Sequence, residues 1–431
     1  MHVDSTRVRL GLLGCGNVGA ALVRLIAEQA PAIEARTGMR LEITRVAVRN
    51  LAKSRSVELA EGVLTHDADG VVHDPEVDLV VELVGGIEPA RGLVLDALKS
   101  GKPVVTANKE LVANVGTELF AAADSAGVDL LFEAAVGGAI PVVRPLRESL
   151  AGSRIRRITG IVNGTTNYIL TRMSEEGATY ADALAEAQSL GYAERDPTAD
   201  VEGFDAGAKA AILATIAFGV SVVAGDVSHE GIAAVAQADI AFAHRLGYEI
   251  KLLAVAEQGD DGRVAVRVHP AMVAMGHPLT SVRGSFNAVF IEGDGFGELM
   301  LYGRGAGGGP TASAVLGDVI DAAGNLRRGG SAGLGALPRA EIRPVDEVRS
   351  AYYLHLEVLD RPGVLHAVAG VFAEHQVSIR SMEQEGLGEE ARLIFITHEA
   401  AESAVQSTVR ALRHLEAVDR VTNLLRVVTE R

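Results

Sequence analysis

The sequence predicts an α/β protein with an N-terminal parallel sheet of the doubly wound type, a following α+β domain and a small C-terminal βαββαβ domain. Three observations support this class. A short apolar strand at residues 8–13 leads directly into a glycine-rich turn and a helical apolar pattern, and further short strands alternate with helices up to about residue 130. After a stretch rich in glycine, proline and charge, a second set of strands and helices begins near residue 350.

Composition narrows the class of protein before any motif is considered. The chain has 431 residues and 48% hydrophobic content, enough for a large core in two or three domains. A formal net charge of −16 argues against a general nucleic-acid binder, which needs clustered cations to displace phosphate counterions. The only cysteine, Cys15, excludes an intrachain disulfide framework and a cysteine-based zinc cluster, and this suits the reducing cytoplasm.

Two apolar segments resemble an export signal and a membrane-spanning helix, respectively, but both are too short. The apolar run before Cys15 covers only residues 10–14, shorter than the roughly 7 to 15 residues of an export signal. The uncharged run at residues 210–225 falls short of the roughly 20 residues that span a bilayer, and it is interpreted as a core helix. The sequence therefore predicts no membrane association.

The glycine-rich turn after the first strand has the order of a dinucleotide-binding fingerprint. Glycines there allow a tight turn and a close approach of the backbone to a pyrophosphate, which sits at the N-terminus of the next helix. The predicted nucleotide contacts in this turn are Gly14, Gly16, Asn17, Val18 and Gly19. The alternative is a glycine-rich βα turn that binds nothing. With the alternating strands and helices, the motif indicates a Rossmann-type domain.

Two cations follow later strands of this sheet. Arg49 follows the second strand, where NAD-selective folds carry an acid for the ribose 2′-hydroxyl; a cation suits a 2′-phosphate, and Lys53 and Arg55 lie just downstream. We therefore expect NADP to be preferred over NAD, although a surface arginine is the alternative. Lys109 follows the strand at 103–106, at the edge where a nicotinamide and its substrate would meet.

The loop at 191–209, GYAERDPTADVEGFDAGAK, joins two predicted helices. Asp205 and Lys209 are four residues apart and therefore share one helix face, and no charge follows Lys209 until after residue 225. A lysine at the mouth of a buried helix can have a lowered pKa and donate a proton. The alternative is a helix cap at Asp205 and an ordinary solvated ion pair.

Taken together, the motifs of the chain resemble those of the homoserine dehydrogenases, the NAD(P)-dependent oxidoreductases that interconvert L-aspartate 4-semialdehyde and L-homoserine. The resemblance covers essentially the whole chain. The matching segments are GLLGCGNVG at 11–19, PVVTANKEL at 103–111, FEAAVGGAIPVV at 132–143, IVNGTTNYIL at 161–170, the loop at 191–209, and GAGGGPTASAVLGDVI at 305–320.

The resemblance implies a role for individual residues. Lys209 would donate the proton to the carbonyl oxygen, Lys109 would lie near the reacting oxygen and the cofactor, and Asp205 would be the acid beside the proton donor. The implied substrate contacts are Glu194, which would bind the ammonium group, and Gly164, Thr165 and Tyr192.

The resemblance also implies two sites that spacing alone does not indicate. Glu133, Val136, Gly138 and Ile140 match a monovalent-cation site, expected to hold sodium through carbonyl oxygens. By itself this segment is typical of a strand ending in a flexible Gly-Gly turn. Gly305 matches a segment that returns to touch the nucleotide, where the family pattern often has proline in place of Arg304. The alternative there is a loop before a helix that starts near Thr311.

The C-terminal segment resembles an ACT domain, an amino-acid sensor attached to many biosynthetic enzymes. Alternating apolar residues from Tyr352 form a strand, the turn Asp360-Arg361-Pro362-Gly363 follows, and the order βαββαβ is ferredoxin-like. We expect feedback inhibition by threonine; the alternative is an oligomerisation module without a ligand.

The expected organisation follows from these assignments. The predicted domains are 1–134 with a return segment at 305–325 for the dinucleotide, 135–304 for substrate binding and dimerisation, 326–349 as a linker, and 350–431 as the ACT regulatory domain. The resemblance implies a cytoplasmic homodimer or homotetramer in threonine, methionine and isoleucine biosynthesis.

Two other classes of function do not fit these residues. A redox-sensing or transport-regulating nucleotide-binding protein has no need of Glu194, Asp205, Lys209 and Lys109 together. A phosphorylating semialdehyde dehydrogenase requires a cysteine nucleophile, and the only cysteine lies in the dinucleotide loop.

Overall fold

The computed structural model describes residues 6–386, 388 and 390–428, so the outer ends of the predicted domains 1–134 and 350–431 lie outside the described residues. The chain forms two compact units. The first comprises the residues up to Arg156, Ala208–Asp226 and Asn287–Ala340; the second comprises Arg157–Gly207, Val227–Phe286 and the residues from Glu341 onward.

The first unit contains a parallel sheet with helices between its strands, as the sequence predicts. Its strands are β1 Arg7–Leu13, β2 Arg40–Ala47, β3 Leu64–Thr65, β4 Leu79–Glu82, β5 Val104–Thr106 and β6 Leu130–Leu131, and the helices between them are α1 Asn17–Thr37, α2 Ala68–His73, α3 Ala90–Lys99 and α4 Lys109–Ala126. The strand order is β3-β2-β1-β4-β5-β6, and all five neighbouring pairs are parallel. The order reverses between β1 and β4, which is where such sheets bind a nucleotide.

The middle of the chain contributes to both units. Its elements are β7 Ile155–Ile161, α5 Gly164–Glu176, α6 Tyr180–Ser189, α7 Thr198–Val201, α8 Phe204–Phe218, β8 Ser228–His229, α9 Gln237–Arg245, β9 Tyr248–Gln258, β10 Val264–Ala274, β11 Phe286–Gly293, β12 Gly297–Arg304 and α10 Gly308–Arg328. Helix α10 begins three residues before the expected Thr311 and packs its apolar side, including Val315 and Val319, against Leu22 and Ile26 of α1. The return segment therefore completes the core of the first unit.

The uncharged run after Lys209 forms a buried helix, as expected. In α8 the residues Ala206, Ala210, Ala211 and Leu213 are each at most 2% exposed. None of the described helices is long and apolar enough to cross a membrane. Helix α8 begins at Phe204, so Asp205 lies in its first turn.

The C-terminal elements form the predicted βαββαβ fold. They are β13 Arg349–Leu359, α11 Val364–Glu374, β14 Ile379–Gly386, β15 Glu390–Thr397, β16 Ala400–Ala401, α12 Glu402–Leu412 and β17 Val418–Val428. The sheet order β17-β13-β15-β14 is that of a ferredoxin-like domain. The edge strand β17 also pairs in parallel with β10, from Ala271 opposite Arg426 to Val273 opposite Val428. A single sheet therefore continues from β7 through β9, β10 and β17 to β14 within the second unit.

Strand β13 is buried on both faces because elements cover both sides of this sheet. One face packs Tyr352 and Leu354 with α11 and α12. On the other face, Tyr353 donates to Asp239 of α9 at 3.2 Å, and Asn423 of β17 donates to the same carboxylate at 2.7 Å. Burial opposes ionisation of Asp239, but hydrogen bonds from His355, Asn423 and the Ala236 main-chain N–H lower its pKa. The carboxylate thus joins α9 to the C-terminal module.

The predicted linker at 326–349 has little regular secondary structure, but its main chain is hydrogen-bonded at several points. Helix α10 continues to Arg328. In the first unit Ser221 exchanges main-chain hydrogen bonds with Pro338 and Ala340, and in the second unit Val264 does so with Glu341 and Arg343. These main-chain hydrogen bonds hold residues 338–343 in place.

A buried pair of carboxylates connects the segment after β6 to α10. The Asp318 side chain accepts the main-chain N–H of Glu133 at 2.7 Å and pairs with Arg144 at 3.0 Å. Burial and the nearby Glu133 carboxylate raise the pKa of Asp318 to about 7 despite Arg144. Between about pH 4 and pH 7 the folded state therefore holds a proton that the unfolded chain, with an Asp pKa of about 3.9, has already released.

This difference predicts that stability falls as pH rises through that range. Wild type should lose on the order of 2 kcal/mol more than Asp318→Asn between about pH 5 and about pH 8, because the variant has no group to ionise there. Urea unfolding followed by circular dichroism at both pH values measures the difference. Asp96→Asn is the control, since Asp96 is an exposed carboxylate on α3. Equal pH dependence in wild type and Asp318→Asn would contradict the assignment.

Candidate functional site

The glycine turn between β1 and α1 has the shape that a pyrophosphate requires. Gly14 has φ +100°, and a Cβ there would lie 2.7 Å from the Leu83 carbonyl oxygen; one at Gly19 would lie 2.8 Å from the Gly14 carbonyl oxygen. A Cβ at Gly16 would meet nothing within 4 Å, and no side chain caps the N-terminus of α1 there. Open space beside uncapped N–H groups at a helix N-terminus suits an anion, so the turn fits a dinucleotide.

Buried polar side chains hold the neighbouring loops at the carboxyl ends of β4 and β5. The fully buried Glu82 accepts the N–H groups of Val84 and Gly85 at 2.7 and 3.1 Å and the Thr106 hydroxyl at 2.5 Å. Asn108 caps α4 at Leu111 and donates to the Gly86 carbonyl at 2.6 Å. Lys109, the first residue of α4, is half-buried beside this cap. Sequence analysis missed Glu82, Thr106 and Asn108, although polar residues that end buried strands are a usable signal.

The edge beyond β2 is cationic. Arg49 is exposed two residues after the strand ends. The Arg55 guanidinium donates to the carbonyls of Asn50 and Lys53 and so closes this loop on itself. It also lies beside the Cys15 thiol in the glycine turn; burial nevertheless raises the pKa of that thiol. Two arginines therefore flank the side of the turn where a ribose 2′ substituent would lie in this fold.

The segment at 133–140 does not form the expected strand. Glu133–Ala135 is a 3₁₀ turn, and the Glu133 carboxylate accepts three main-chain N–H groups, those of Val142, Val143 and Arg144, at 2.6 to 2.8 Å. This ring of hydrogen bonds pulls the chain into a turn. Since the carboxylate is occupied, the oxygens left to a cation are main-chain carbonyls.

Two chain segments meet at Gly138. It has φ +56°, and a Cβ there would lie 2.6 Å from the Gly305 carbonyl; Ala139 also donates to the Arg304 carbonyl at 3.0 Å. The predicted residues Gly138, Ile140 and Gly305 thus lie close together in the first unit. The described residues contain no cluster of three or more His, Cys, Asp or Glu side chains that could hold a metal ion. Neutral carbonyl oxygens suit a monovalent cation, so the donor set fits the predicted sodium.

In the second unit, one amide holds two carboxylates. Asn163 caps α5 by accepting the Thr166 N–H at 2.9 Å, and its Nδ2 donates to Asp200 at 2.7 Å and to Asp205 at 2.9 Å. Asn163 is 4% exposed, so this arrangement is shielded from water. Sequence analysis selected Asp205 but missed Asn163 and Asp200. The signal for Asn163 was its position before the helix start Gly164-Thr165-Thr166.

The predicted substrate residues gather around the start of α5. Gly164 is the first residue of this helix, and the Thr165 hydroxyl donates to the Tyr192 carbonyl at 2.7 Å. The Tyr192 ring is 44% exposed and packs 5.0 Å from the ring of Tyr168. Glu194 is exposed two residues later. The Thr165 hydroxyl therefore ties the loop that carries Tyr192 and Glu194 to the start of α5.

Asp205 and Lys209 lie one turn apart in α8, and each is 9% exposed. Lys209 and Lys109 both belong to the first compact unit. A buried lysine followed by an apolar helix is chemically suited to hold or deliver a proton.

Family models match most of the chain. The homoserine dehydrogenase NAD-binding domain matches residues 14–133, the homoserine dehydrogenase model matches 141–320, and the ACT domain matches 352–417. The homoserine dehydrogenase of Mycobacterium tuberculosis is 50% identical over 439 residues, covering 99% of both chains. That of Corynebacterium glutamicum is 50% identical over 425 residues, covering 97% of this chain and 95% of the relative.

Solved structures agree with these matches. The crystal structure of a homoserine dehydrogenase from Thiobacillus denitrificans has a TM-score of 0.93 and 42% identity over 98% of both chains. A hyperthermophilic archaeal homoserine dehydrogenase in complex with NADPH has a TM-score of 0.63 and 30% identity, over 73% of this chain and 97% of that one. The chain therefore belongs to the homoserine dehydrogenase family, and it is an oxidoreductase that acts on a CH–OH group and carries an NAD-binding domain and a C-terminal ACT domain.

Proposed function

We propose that this enzyme is an NADP-preferring homoserine dehydrogenase of threonine, methionine and isoleucine biosynthesis, acting in the cytoplasm as a homodimer or homotetramer. Its reaction interconverts L-aspartate 4-semialdehyde and L-homoserine. The observation that carries the proposal is the Asn163 amide, because it fixes the Asp205 carboxylate one helical turn before Lys209. Single-turnover and steady-state assays of homoserine oxidation, followed by NADPH absorbance, test the activity.

Reduction of the aldehyde requires one hydride and one proton. The glycine turn at residues 14–19 would hold NADPH, whose chemistry there would be hydride transfer to the aldehyde carbon. Lys209 donates its proton to the carbonyl oxygen as negative charge develops there, and Asp205 orients the ammonium group. Lys109 contributes a second cation near the same oxygen. In the reverse direction Lys209 receives the proton from the homoserine hydroxyl.

The substrate is an amino acid, so its binding needs an anion for the ammonium group and hydrogen-bond partners for the carboxylate. Glu194 supplies the anion. Gly164 and Thr165 lie in the first turn of α5, where main-chain N–H groups have no partner within the helix, and this end of a helix suits a carboxylate. Thr165 holds the Tyr192 carbonyl, so the loop that carries Glu194 is tied to the same helix.

Sodium is the cation that we assign to the carbonyl oxygens of Glu133, Val136, Gly138 and Ile140. The support is the donor set, since the Glu133 carboxylate is already occupied by three N–H groups. A site of neutral oxygens favours low charge over the divalent ions that prefer carboxylates. The cation would order the turn that meets Gly305.

Replacing Lys209 tests the proton donor. We expect Lys209→Ala to lower kcat by roughly 10²-fold or more, because general acid catalysis contributes about that factor, while NADPH binding changes little. Steady-state kinetics and fluorescence titration of NADPH measure the two effects. The exposed Lys99→Ala is the control and should retain wild-type turnover. A Lys209→Ala enzyme with near wild-type kcat would refute the role.

Exchanging the charge at Arg49 tests the cofactor preference. We expect Arg49→Asp to reduce kcat/KM for NADPH by about tenfold or more, since a carboxylate repels the 2′-phosphate, and to leave NADH use unchanged or improved. Kinetics with both cofactors measure this. Arg36→Asp makes the same charge change at an exposed position near the end of α1. It should alter kcat/KM for neither NADPH nor NADH. Equal use of both cofactors by wild type would reject the preference.

Threonine is the effector that we assign to the ACT domain. The turn Asp360-Arg361-Pro362-Gly363 lines a cavity of 350 Å³ together with Gln384 and Leu393. Gly363 has φ +93° and is the N-cap residue of α11. A small amino acid fits this cavity, and its ammonium group suits the exposed Asp360 carboxylate. The alternative, an oligomerisation module without a ligand, predicts no response to threonine.

We expect threonine to inhibit the full chain, and Asp360→Ala to weaken that inhibition at least about tenfold with little change in uninhibited turnover. Inhibition curves for both enzymes measure this. A point variant is preferable to a chain that ends near Arg343, because removing β17 would uncover the edge of β10. Asp419→Ala, an exposed carboxylate on β17, is the control. Insensitivity of wild type to threonine would reject the assignment.

A further inference from the structure

A second cavity in the second unit is lined by arginines and belongs neither to the proposed substrate residues nor to the Asp360 turn. Its volume is 270 Å³, and strands from both sides of the β10–β17 junction contribute to it. The side chains that matter are Arg157 of β7, Arg267 and His269 of β10, Arg349 of β13, Arg380 of β14 and Arg426 of β17. The cavity therefore brings together catalytic-domain strands and ACT strands.

Arginines dominate the charged side chains that line this cavity. Arg157 and Arg267 both pair with the Glu257 carboxylate, at 2.9 and 2.7 Å. Arg349 donates to the main-chain carbonyl of Glu399 at 2.8 Å. Arg426 is paired, with Glu402 at 2.7 Å and Glu230 at 2.8 Å. Among the described residues that line the cavity, five are arginines and only one, Glu399, carries a carboxylate.

His269 adds a specific acceptor to this cationic wall. The residue is 3% exposed, and its Nδ1 lies 3.2 Å from the Pro270 carbonyl oxygen, so Nδ1 carries the proton. Its Nε2 is buried and has no hydrogen-bond partner among the described residues. Burial and the charges of Arg426 and Arg267 hold the pKa of His269 well below its usual range. The neutral ring thus offers one unused lone pair at the cavity.

A buried acceptor without a donor costs free energy, and a bound molecule can supply the donor. The donor group of this bound molecule is a hydroxyl, because the surrounding guanidinium groups would repel an ammonium group. Its remaining groups are anionic, since guanidinium pairs best with carboxylate or phosphate oxygens. A volume of 270 Å³ equals about nine water volumes, which suits a molecule of about ten non-hydrogen atoms.

We propose that this cavity binds a small hydroxycarboxylate dianion, whose carboxylates pair with the arginines and whose hydroxyl donates to His269 Nε2. Such a ligand bridges β10 and β17 and thereby strengthens the attachment of the ACT domain to the catalytic strands. The site is separate from the amino-acid effector site, and its occupancy does not depend on the dehydrogenase reaction.

Isothermal titration calorimetry of the full chain with L-malate, succinate and inorganic phosphate tests the proposal. L-malate should bind saturably and raise Tm, and added salt should weaken it. Succinate has the same two carboxylates without the hydroxyl, so it should bind about fivefold or more weaker. Phosphate should bind weaker than L-malate. No saturable binding of L-malate, equal affinity for succinate, or tighter binding of phosphate would each overturn the proposal.

Two variants assign the binding to the cavity. Arg157→Gln leaves Glu257 paired with Arg267 and should weaken L-malate binding about tenfold, or about 1.4 kcal/mol. His269→Phe should abolish the difference between L-malate and succinate. Arg420→Gln removes an exposed arginine that pairs with Glu357 outside the cavity and should bind like wild type.

The Arg157→Gln comparison decides the proposal even where His269→Phe does not fold, because the Arg157 side chain is 35% exposed and tolerates replacement. Circular dichroism and thermal unfolding check each variant. A folded Arg157→Gln protein with wild-type affinity for L-malate would overturn the assignment.

Discussion

Buried carboxylates fix the loops of both compact units. Burying an ionised group is costly unless hydrogen bonds satisfy it, and these carboxylates are satisfied mainly by N–H groups of the loops they hold. Glu82 holds the turn after β4, Glu133 holds the turn that leads to Arg144, and Asp205 is held by Asn163. A loop that is tied to a buried charge has few alternative conformations. The turn after β4 and the proposed cation site both depend on loops of this kind.

The second constraint is the main-chain pairing of β10 with β17. Because these strands pair, the C-terminal module extends a sheet that begins with β7, and its strand β13 is covered on both faces. This explains why Tyr352 and Tyr353, neighbours in one strand, are both fully buried. A free ferredoxin-like domain would leave one of these faces in water. The cavity at Arg267 and Arg426 exists only through this pairing.

Glycine placement and hydrophobic periodicity predicted the secondary structure and the turns that depend on neighbouring residues in the sequence. The strand, turn and helix around Gly14, the apolar helix after Lys209 and the βαββαβ order of the C-terminal module follow from glycine placement and hydrophobic periodicity. The side chains that orient the site did not follow, because their partners are distant in sequence. Asn163 meets Asp200 and Asp205 across 37 and 42 residues, and Glu82 meets Thr106 across 24.

The pairing of β10 with β17 could not be predicted either, because the sequence of an edge strand does not indicate which strand it pairs with. The segment at 133–140 shows a different limit. Its glycines favour a turn, and its apolar residues favour a strand, so the pattern alone does not decide. The decision comes from the Glu133 carboxylate, whose three N–H partners lie nine to eleven residues ahead.

Within the second unit, a continuous set of contacts leads from the ACT domain to the proposed substrate residues. Tyr353 of β13 binds Asp239 of α9, and the neighbouring Gln237 donates to the Met173 carbonyl of α5 at 3.2 Å. Further along α9, His244 lies 2.9 Å from the Ser174 hydroxyl of α5. The opposite end of α5 carries Gly164 and Thr165. Because a helix moves nearly as a rigid body, an effector that shifted β13 against α9 would act on the end of α5 that holds the Tyr192 loop. The proposed regulation by threonine would thus run through contacts within the second unit.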